Sequence, residues 1–134
     1  MEFFASLLQY NDLGLAFVRI VVGIIFLKHG KMKFGMWKMQ ASEQMPMQML
    51  NIMRVLSIVE SVAGLALILG LFVQLAAVTL GIIMLGAIYF KVFKWKKTFA
   101  GDGGWEFDLI LLAANLALIL SGPGAWSLDR FLVR

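Results

Sequence analysis

The chain has 134 residues, of which 61% are hydrophobic, and its mean hydropathy is +0.87. This hydrophobicity excludes an ordinary soluble domain and predicts a single integral-membrane domain over residues 1–134. The formal net charge of +4 does not indicate nucleic-acid binding, because the lysines stand at the ends of apolar runs, where they act as membrane-surface anchors. The sequence contains no cysteine, which excludes disulfides and thiolate metal sites for this chain acting alone.

The first membrane span is predicted at residues 13–30, since a spanning helix needs roughly 20 apolar residues. The sequence before it lacks the basic region and the small-residue cleavage site of a secretory signal. We therefore expect the first apolar run to remain in the protein as a transmembrane helix.

The long apolar tract at residues 55–90 is predicted to contain two spans. As one helix it would be about 54 Å long, far beyond a hydrocarbon core of ~30 Å. The sequence GLFVQ at residues 70–74 is the best place for a reversal, because glycine permits special dihedral angles and Gln74 is polar. The second and third spans are therefore predicted at residues 52–72 and 75–93.

The fourth span is predicted at residues 106–121, which end in the sequence SGPG, where a helix cannot continue. The predicted fold class is therefore all-α, a transmembrane four-helix bundle.

The distribution of basic residues predicts the orientation of this bundle. The loop between the first and second spans and the loop between the third and fourth spans, with their flanks, carry most of the basic residues. The opposite side of the membrane has Arg130 and Arg134. Because lysine and arginine favour the cytoplasmic side, we expect an integral protein of a prokaryotic plasma (inner) membrane, with cytoplasmic loops and both termini outside. The basic residues of the loops are Lys28, Lys31, Lys33, Lys38 and Arg54 in one, and Lys91, Lys94, Lys96 and Lys97 in the other.

Two charged residues fall inside the predicted spans. Arg19 lies roughly 15 Å from the cytoplasmic boundary and Glu60 about 10 Å from the start of its span. A charge at the bilayer centre costs about 2.5–3.5 kcal/mol, so both side chains should face the bundle interior, where we expect Arg19 to pair with Glu60. Such a pair would either fix the packing of the helices or organise a polar pocket for a ligand headgroup or protons.

Further polar residues lie near the cytoplasmic ends of the spans. His29, the single histidine, is either an interfacial residue or a pocket residue that binds a ligand or relays protons; one histidine without cysteine makes a poor metal site. Glu106 is either a helix-start residue or a ligand-binding residue. Asp108 and Asn115 share one face of the fourth span, opposite to the face that carries Glu106.

Aromatic and methionine residues cluster near the predicted helix ends. Trp37, Tyr89 and Trp95 fit an interfacial belt. Seven of the nine methionines lie within residues 32–53. Thioethers suit Cu(I), but the spacing of these methionines fits packing or contact with the membrane surface better, and their role is not assigned.

Three stretches of the sequence together resemble the DoxX family of small four-span membrane proteins. They read VRIVVGIIFLKHGKMKF at residues 18–34, ESVAGLALILGLFVQLAAVTLGIIMLGA at 60–87 and GGWEFDLILLAANLALILSGPGAWSLD at 103–129. The resemblance implies a four-helix bundle and a quinone-linked or redox-associated membrane subunit, as in an archaeal thiosulfate:quinone oxidoreductase or in redox-defence assemblies. The family's recurrent polar positions fall on Arg19, His29, Glu60 and Glu106, and Lys33, Tyr89 and Asn115 are secondary candidates for ligand binding.

Two hypotheses of different classes follow. In the first, the protein is a non-catalytic subunit of a membrane oxidoreductase; it binds a quinone-like headgroup or docks a redox partner and carries no redox centre or metal of its own. In the second, it is a structural or chaperone-like scaffold held by the Arg19–Glu60 pair. The expected partners are the lipid membrane, a quinone, and a redox protein or further copies of the chain. A transporter would need oligomerisation, because no inverted repeat is visible.

Overall fold

The computed structural model describes residues 2–132, which form helices joined by short loops. No β-strand occurs within this range. A 3₁₀ turn at Leu7–Tyr10 precedes α2, a second at Phe34–Trp37 follows it, and a π-helical turn at Phe90–Lys94 extends α4. The α-helices are α1 (Glu2–Ser6), α2 (Asn11–Lys33), α3 (Met47–Leu69), α4 (Val73–Tyr89), α5 (Glu106–Ser121) and α6 (Asp129–Leu132).

The predicted all-helical bundle is confirmed. Within residues 2–132, three helical stretches are long and apolar enough to cross a membrane: Glu2–Trp37, Met47–Leu69 and Val73–Lys94. The fourth helix, α5, has 16 residues and the bounds predicted from the sequence, and it is about 24 Å long. Arg134, which entered the count of basic residues, lies outside the described residues.

Helix α3 begins five residues before the predicted start of the second span, at Met47 rather than at residue 52. Pro46 stands immediately before it in an extended conformation, with φ −59° and ψ 151°. Proline is well tolerated at a helix start, where its missing N–H leaves no intrahelical bond unmade. Leu50 is fully buried and anchors the added first turn in the bundle.

The reversal predicted at residues 70–74 is present between α3 and α4. Gly70 ends α3 in the left-handed conformation (φ +72°), and Phe72 also has a positive φ, +49°. A side chain at Gly70 would collide with the Arg19 guanidinium and would lie 2.8 Å from Ser127 Cα. The carboxylate of Asp129 accepts hydrogen bonds from Phe72 N (2.6 Å) and Val73 N (2.9 Å), which satisfies two free donors at the start of α4.

The four long helices form two closely packed antiparallel pairs. Helices α2 and α3 touch through their backbones, because a Cβ added to Gly64 would lie only 2.7 Å from Gly23 O. Gly30 meets Ser57 and Ser61 further along the same seam. Helix α4 packs along α5, and the two pairs meet mainly between α3 and α4, which pack much less extensively.

The bundle has two different ends. We call the end that contains Lys33, Met47, Lys91 and Glu106 the lysine-rich end. The other, the terminal end, contains the α3–α4 turn and the C-terminal segment, residues 122–132, which lies across it. Buried apolar side chains separate the two ends, and these include Val22, Phe26, Ala63, Leu67, Ala77, Leu80, Met84, Leu111 and Leu118.

Candidate functional site

A cavity of about 350 Å³ opens at the lysine-rich end of the bundle. Its apolar wall comes from side chains of α3, of α4 and of the turn that follows α4. The charged and polar part of the wall comes from α2, α3, α5 and the turn after α4, and consists of His29, Lys33, Glu60, Lys91 and Asp108.

An ion pair between Lys33 and Glu60 lies on one side of this cavity. Lys33 Nζ donates a hydrogen bond of 2.5 Å to Glu60 Oε2. Glu60 is only 1% exposed, so its carboxylate is removed from bulk solvent and depends on this partner. Lys33 occupies the last turn of α2, where a cation is favoured by the helix dipole.

A second ion pair lies on the facing side, between Lys91 and Asp108. Lys91 Nζ stands 2.6 Å from Asp108 Oδ2 and also donates a 3.2 Å hydrogen bond to Gly104 O. Lys91 belongs to the π-helical turn after α4, and Asp108 lies in the first turn of α5, where an acid is favoured. The pair therefore joins α4 to α5 at the mouth of the cavity.

His29 lies between two aromatic rings in the same wall. Its imidazole centroid is 6.4 Å from the ring of Phe26 and 5.9 Å from that of Phe107. Neither of its ring nitrogens makes a hydrogen bond to any other residue in the range 2–132, although the side chain is half-buried. Imidazole both donates and accepts, so His29 has free hydrogen-bonding capacity in the cavity.

The predicted pairing of Arg19 with Glu60 is wrong. Arg19 is 2% exposed, but its Nη2 donates a 2.5 Å hydrogen bond to Trp126 O in the C-terminal segment. Because Gly23 faces Gly64, Arg19 lies about eight residues, or about 12 Å along the axis, from the level of Glu60. Side chains also tilt toward the start of their own helix, so in this antiparallel pair the two charges point to opposite ends of the bundle.

The other sequence candidates lie away from the cavity. Glu106 is exposed at the start of α5. Tyr89 is 50% exposed, and its ring centroid lies 5.2 Å from that of Phe93. Asn115 is fully buried against α4, and its Nδ2 donates to Leu111 O at 2.8 Å. The structure thus brings together His29, Lys33 and Glu60, and it places Arg19, Glu106, Tyr89 and Asn115 elsewhere.

Sequence reasoning did not assign Lys91 and Asp108 to a site. Lys91 was interpreted only as one of several anchoring lysines, and nothing in its spacing separates it from its neighbours. Asp108 could have been identified from the sequence, because it lies seven residues before Asn115 and so shares the buried face of α5 with it. Asp129, the acceptor for the start of α4, gave no signal, because its contact joins residues far apart in the chain.

The methionine-rich segment between α2 and α3 lies at the lysine-rich end and lines a pocket that adjoins the cavity. Arg54 holds its backbone with hydrogen bonds from Nε to Met36 O (3.1 Å) and from Nη2 to Met39 O (2.9 Å). Trp37 Nε1 donates to Ser57 Oγ at 3.0 Å. Met45 and Pro46 of this segment line an adjoining pocket of about 380 Å³, which shares Met49 of α3 with the cavity.

The fold and the cavity define a small helical membrane protein with a polar pocket at one end. The DoxX family model matches residues 14–93, which contain α3, α4 and all but the first three residues of α2. The chain belongs to the DoxX family. It is 30% identical to a Bacillus subtilis (strain 168) protein named "Putative oxidoreductase CatD", over 92% of this chain and 90% of that protein.

Two further relatives carry names that state no activity. The "Uncharacterized membrane protein Rv3486" of Mycobacterium tuberculosis is 36% identical over 84% of this chain and 77% of its own. An "Uncharacterized protein" of Haemophilus influenzae is 32% identical over 93% of this chain and 95% of its own. No solved structure matches the chain.

Proposed function

We propose that this protein is a non-catalytic membrane subunit that binds the headgroup of a quinone in the cavity at the lysine-rich end. The observation that carries the proposal is the cavity itself, in which two ion pairs and a free imidazole share one apolar pocket of about 350 Å³. Small-molecule sites are usually apolar pockets with a few convergent polar groups, and this cavity has that composition.

The polar groups suit both redox forms of a quinone. A lysine ammonium has three N–H donors. Lys33 Nζ donates one hydrogen bond to Glu60, which leaves the other donors for a quinone carbonyl oxygen. The carboxylates of Glu60 and Asp108 accept hydrogen bonds, as the hydroxyl groups of a quinol require. His29 offers one donor and one acceptor and would serve either form.

The redox assignment rests on the relatives. The Bacillus subtilis relative is named as an oxidoreductase, and the resemblance to the DoxX family implies a quinone-linked role. In the proposal, electrons are exchanged with the quinone by a redox partner protein, because this chain contains no cysteine and needs no centre of its own. We place the lysine-rich end in the cytoplasm of a prokaryotic cell, following the distribution of basic residues.

Titration of the purified protein with a short-tailed ubiquinone, followed by the quench of tryptophan fluorescence, tests this proposal. Glu60→Gln and His29→Ala should each weaken binding by about tenfold or more, equivalent to about 1.4 kcal/mol, because each removes a polar partner of the headgroup. Glu43→Gln is the matched control, since Glu43 is an exposed glutamate in the loop at the same end and should bind as the wild type does.

Unchanged binding in both cavity variants would place the headgroup elsewhere. A wild-type protein that binds no quinone would favour the structural scaffold. That alternative no longer includes an Arg19–Glu60 pair, because these side chains point to opposite ends of the bundle.

A further inference from the structure

A second cavity of about 350 Å³ lies between α3 and α4, on the side of the polar cavity that faces the terminal end. Its wall is made of small or branched side chains, including Val59, Ala63 and Ala66 on α3 and Ala76 and Thr79 on α4. The hydroxyl of Thr79 already donates a 2.9 Å hydrogen bond to Leu75 O, so the groove offers no free side-chain donor for a polar group. We call this cavity the α3–α4 groove.

The groove continues the polar cavity along the same helix faces. On α3, Ile52 and Leu56 line the polar cavity, and Val59 and Ala63 follow in the groove at steps of three or four residues. On α4, Ile83 lines the polar cavity, and Thr79 and Ala76 line the groove. Steps of three and four residues keep side chains on one face of a helix, so the two cavities share one seam.

This seam is open to the surrounding lipid. Helices α3 and α4 pack less extensively than either close pair does. Two side chains on the outer rim of the groove, Val62 and Leu75, are 63% and 67% exposed in a part of the chain that spans the membrane. At the terminal end Phe72 closes the groove, and its backbone is fixed by Asp129.

We propose that the α3–α4 groove holds the isoprenoid tail of a quinone whose headgroup lies in the polar cavity, and that the ligand enters through this groove sideways from the bilayer. The inference rests on the proposed function and adds the binding site of the tail and the route of entry. From Ile83 to Phe72 the seam is about 16 Å long, close to one leaflet of a hydrocarbon core that is ~30 Å thick. One narrow seam suits a single tail, whereas a phospholipid would have to place two acyl chains.

The test compares quinones of the same headgroup and increasing tail length on two matched variants. Thr79→Phe fills the groove. Val78→Phe, at the preceding residue, adds a ring of the same size to a lipid-facing position that does not line the groove. Valine and threonine are nearly equal in size, so the two substitutions add a similar volume. At each tail length the affinities of Thr79→Phe and Val78→Phe are compared as a ratio, which cancels the partition of the quinone into the detergent. Ala66→Phe fills the groove from α3 and is the second variant, in case Thr79→Phe does not fold.

We expect Thr79→Phe and Ala66→Phe to bind the long-tailed quinone about tenfold more weakly than Val78→Phe, with a ratio that falls to about one for the shortest tail. A ratio near one at every tail length would overturn the groove assignment while Glu60→Gln still reports on the headgroup. An equal loss at every tail length would also overturn it, since the substitution would then act on the headgroup. A wild-type protein that binds no quinone, or retains phospholipid alone, would overturn both the groove and the proposed function.

Discussion

The two ends of the bundle treat buried charge differently. At the lysine-rich end, Glu60 and Asp108 each pair directly with a lysine in the wall of an open cavity, and His29 keeps its ring nitrogens free. At the terminal end, Arg19 is covered by the C-terminal segment and donates to the Trp126 carbonyl. The contrast is that the buried carboxylates line a cavity, whereas the buried guanidinium of Arg19 contacts the C-terminal segment.

The terminal end is held by contacts between distant parts of the chain. Asp12 Oδ1 at the start of α2 accepts from Ala125 N at 3.0 Å, and Asp129 N donates to Gly70 O at 2.9 Å. Together with Arg19, these bonds tie the C-terminal segment to α2 and to the α3–α4 turn. In the proposed function the lysine-rich end binds the ligand, whereas these contacts stabilise the terminal end, and the following substitutions separate the two roles.

The largest effect on stability is expected for Arg19→Ala. It removes a fully buried side chain and leaves the Trp126 carbonyl without its donor, so we expect a loss of about 2–5 kcal/mol in the free energy of unfolding. Denaturant unfolding in detergent measures this loss. The exposed Arg130→Ala should stay within about 0.5 kcal/mol of the wild type. Wild-type stability in Arg19→Ala would mean that the covered guanidinium does not hold this end together.

Asp129→Ala should have an intermediate effect. Loss of the acceptor for Phe72 N and Val73 N at the start of α4 should cost about 0.5–2 kcal/mol, as removal of a helix cap does. The midpoint of thermal unfolding reports it. Asp129→Asn is the comparison variant and should recover only part of the loss, because its single amide oxygen can accept from one of the two N–H groups. A reduced affinity for a short-tailed quinone, which does not reach the closed end of the α3–α4 groove, in folded Asp129→Ala would contradict the division between the two ends.

The smallest effect is expected for Glu106→Gln. Glu106 is exposed and lies outside the cavity, so stability should change by less than about 0.5 kcal/mol and quinone affinity should not change. Its neighbour Asp108→Asn removes the charge that pairs with Lys91 in the cavity wall and should weaken quinone binding in the same titration. The opposite ranking of the two variants would show that the sequence pattern identified the binding residue better than the cavity does.

The sequence alone predicted the parts of the fold that depend on local chemistry. The reversal near Gly70 needs a left-handed residue, and the end of α5 coincides with SGPG, so both could be located from residue types. The partner of Arg19 could not be predicted from the sequence, because it depends on how far α2 is shifted along α3. That shift is set by the contact of Gly23 with Gly64, which hydrophobic periodicity does not reveal.

The candidate site was predictable to a similar extent. His29, Lys33 and Glu60 stood out as polar residues in or beside apolar spans, and all three line the cavity. Lys91 joins them only because α4 continues through a π-helical turn toward the start of α5. Lys91 could therefore be assigned to the cavity only from the three-dimensional structure.

The most direct test of the central claim is the amount of quinone that co-purifies with each chain after gentle extraction from the native membrane. Wild type, Glu60→Gln and Arg19→Lys should be prepared identically and compared per folded chain. The account predicts near-stoichiometric quinone in the wild type and in Arg19→Lys, and a loss in Glu60→Gln. Background lipid alone in all three, or a loss confined to Arg19→Lys, would contradict it.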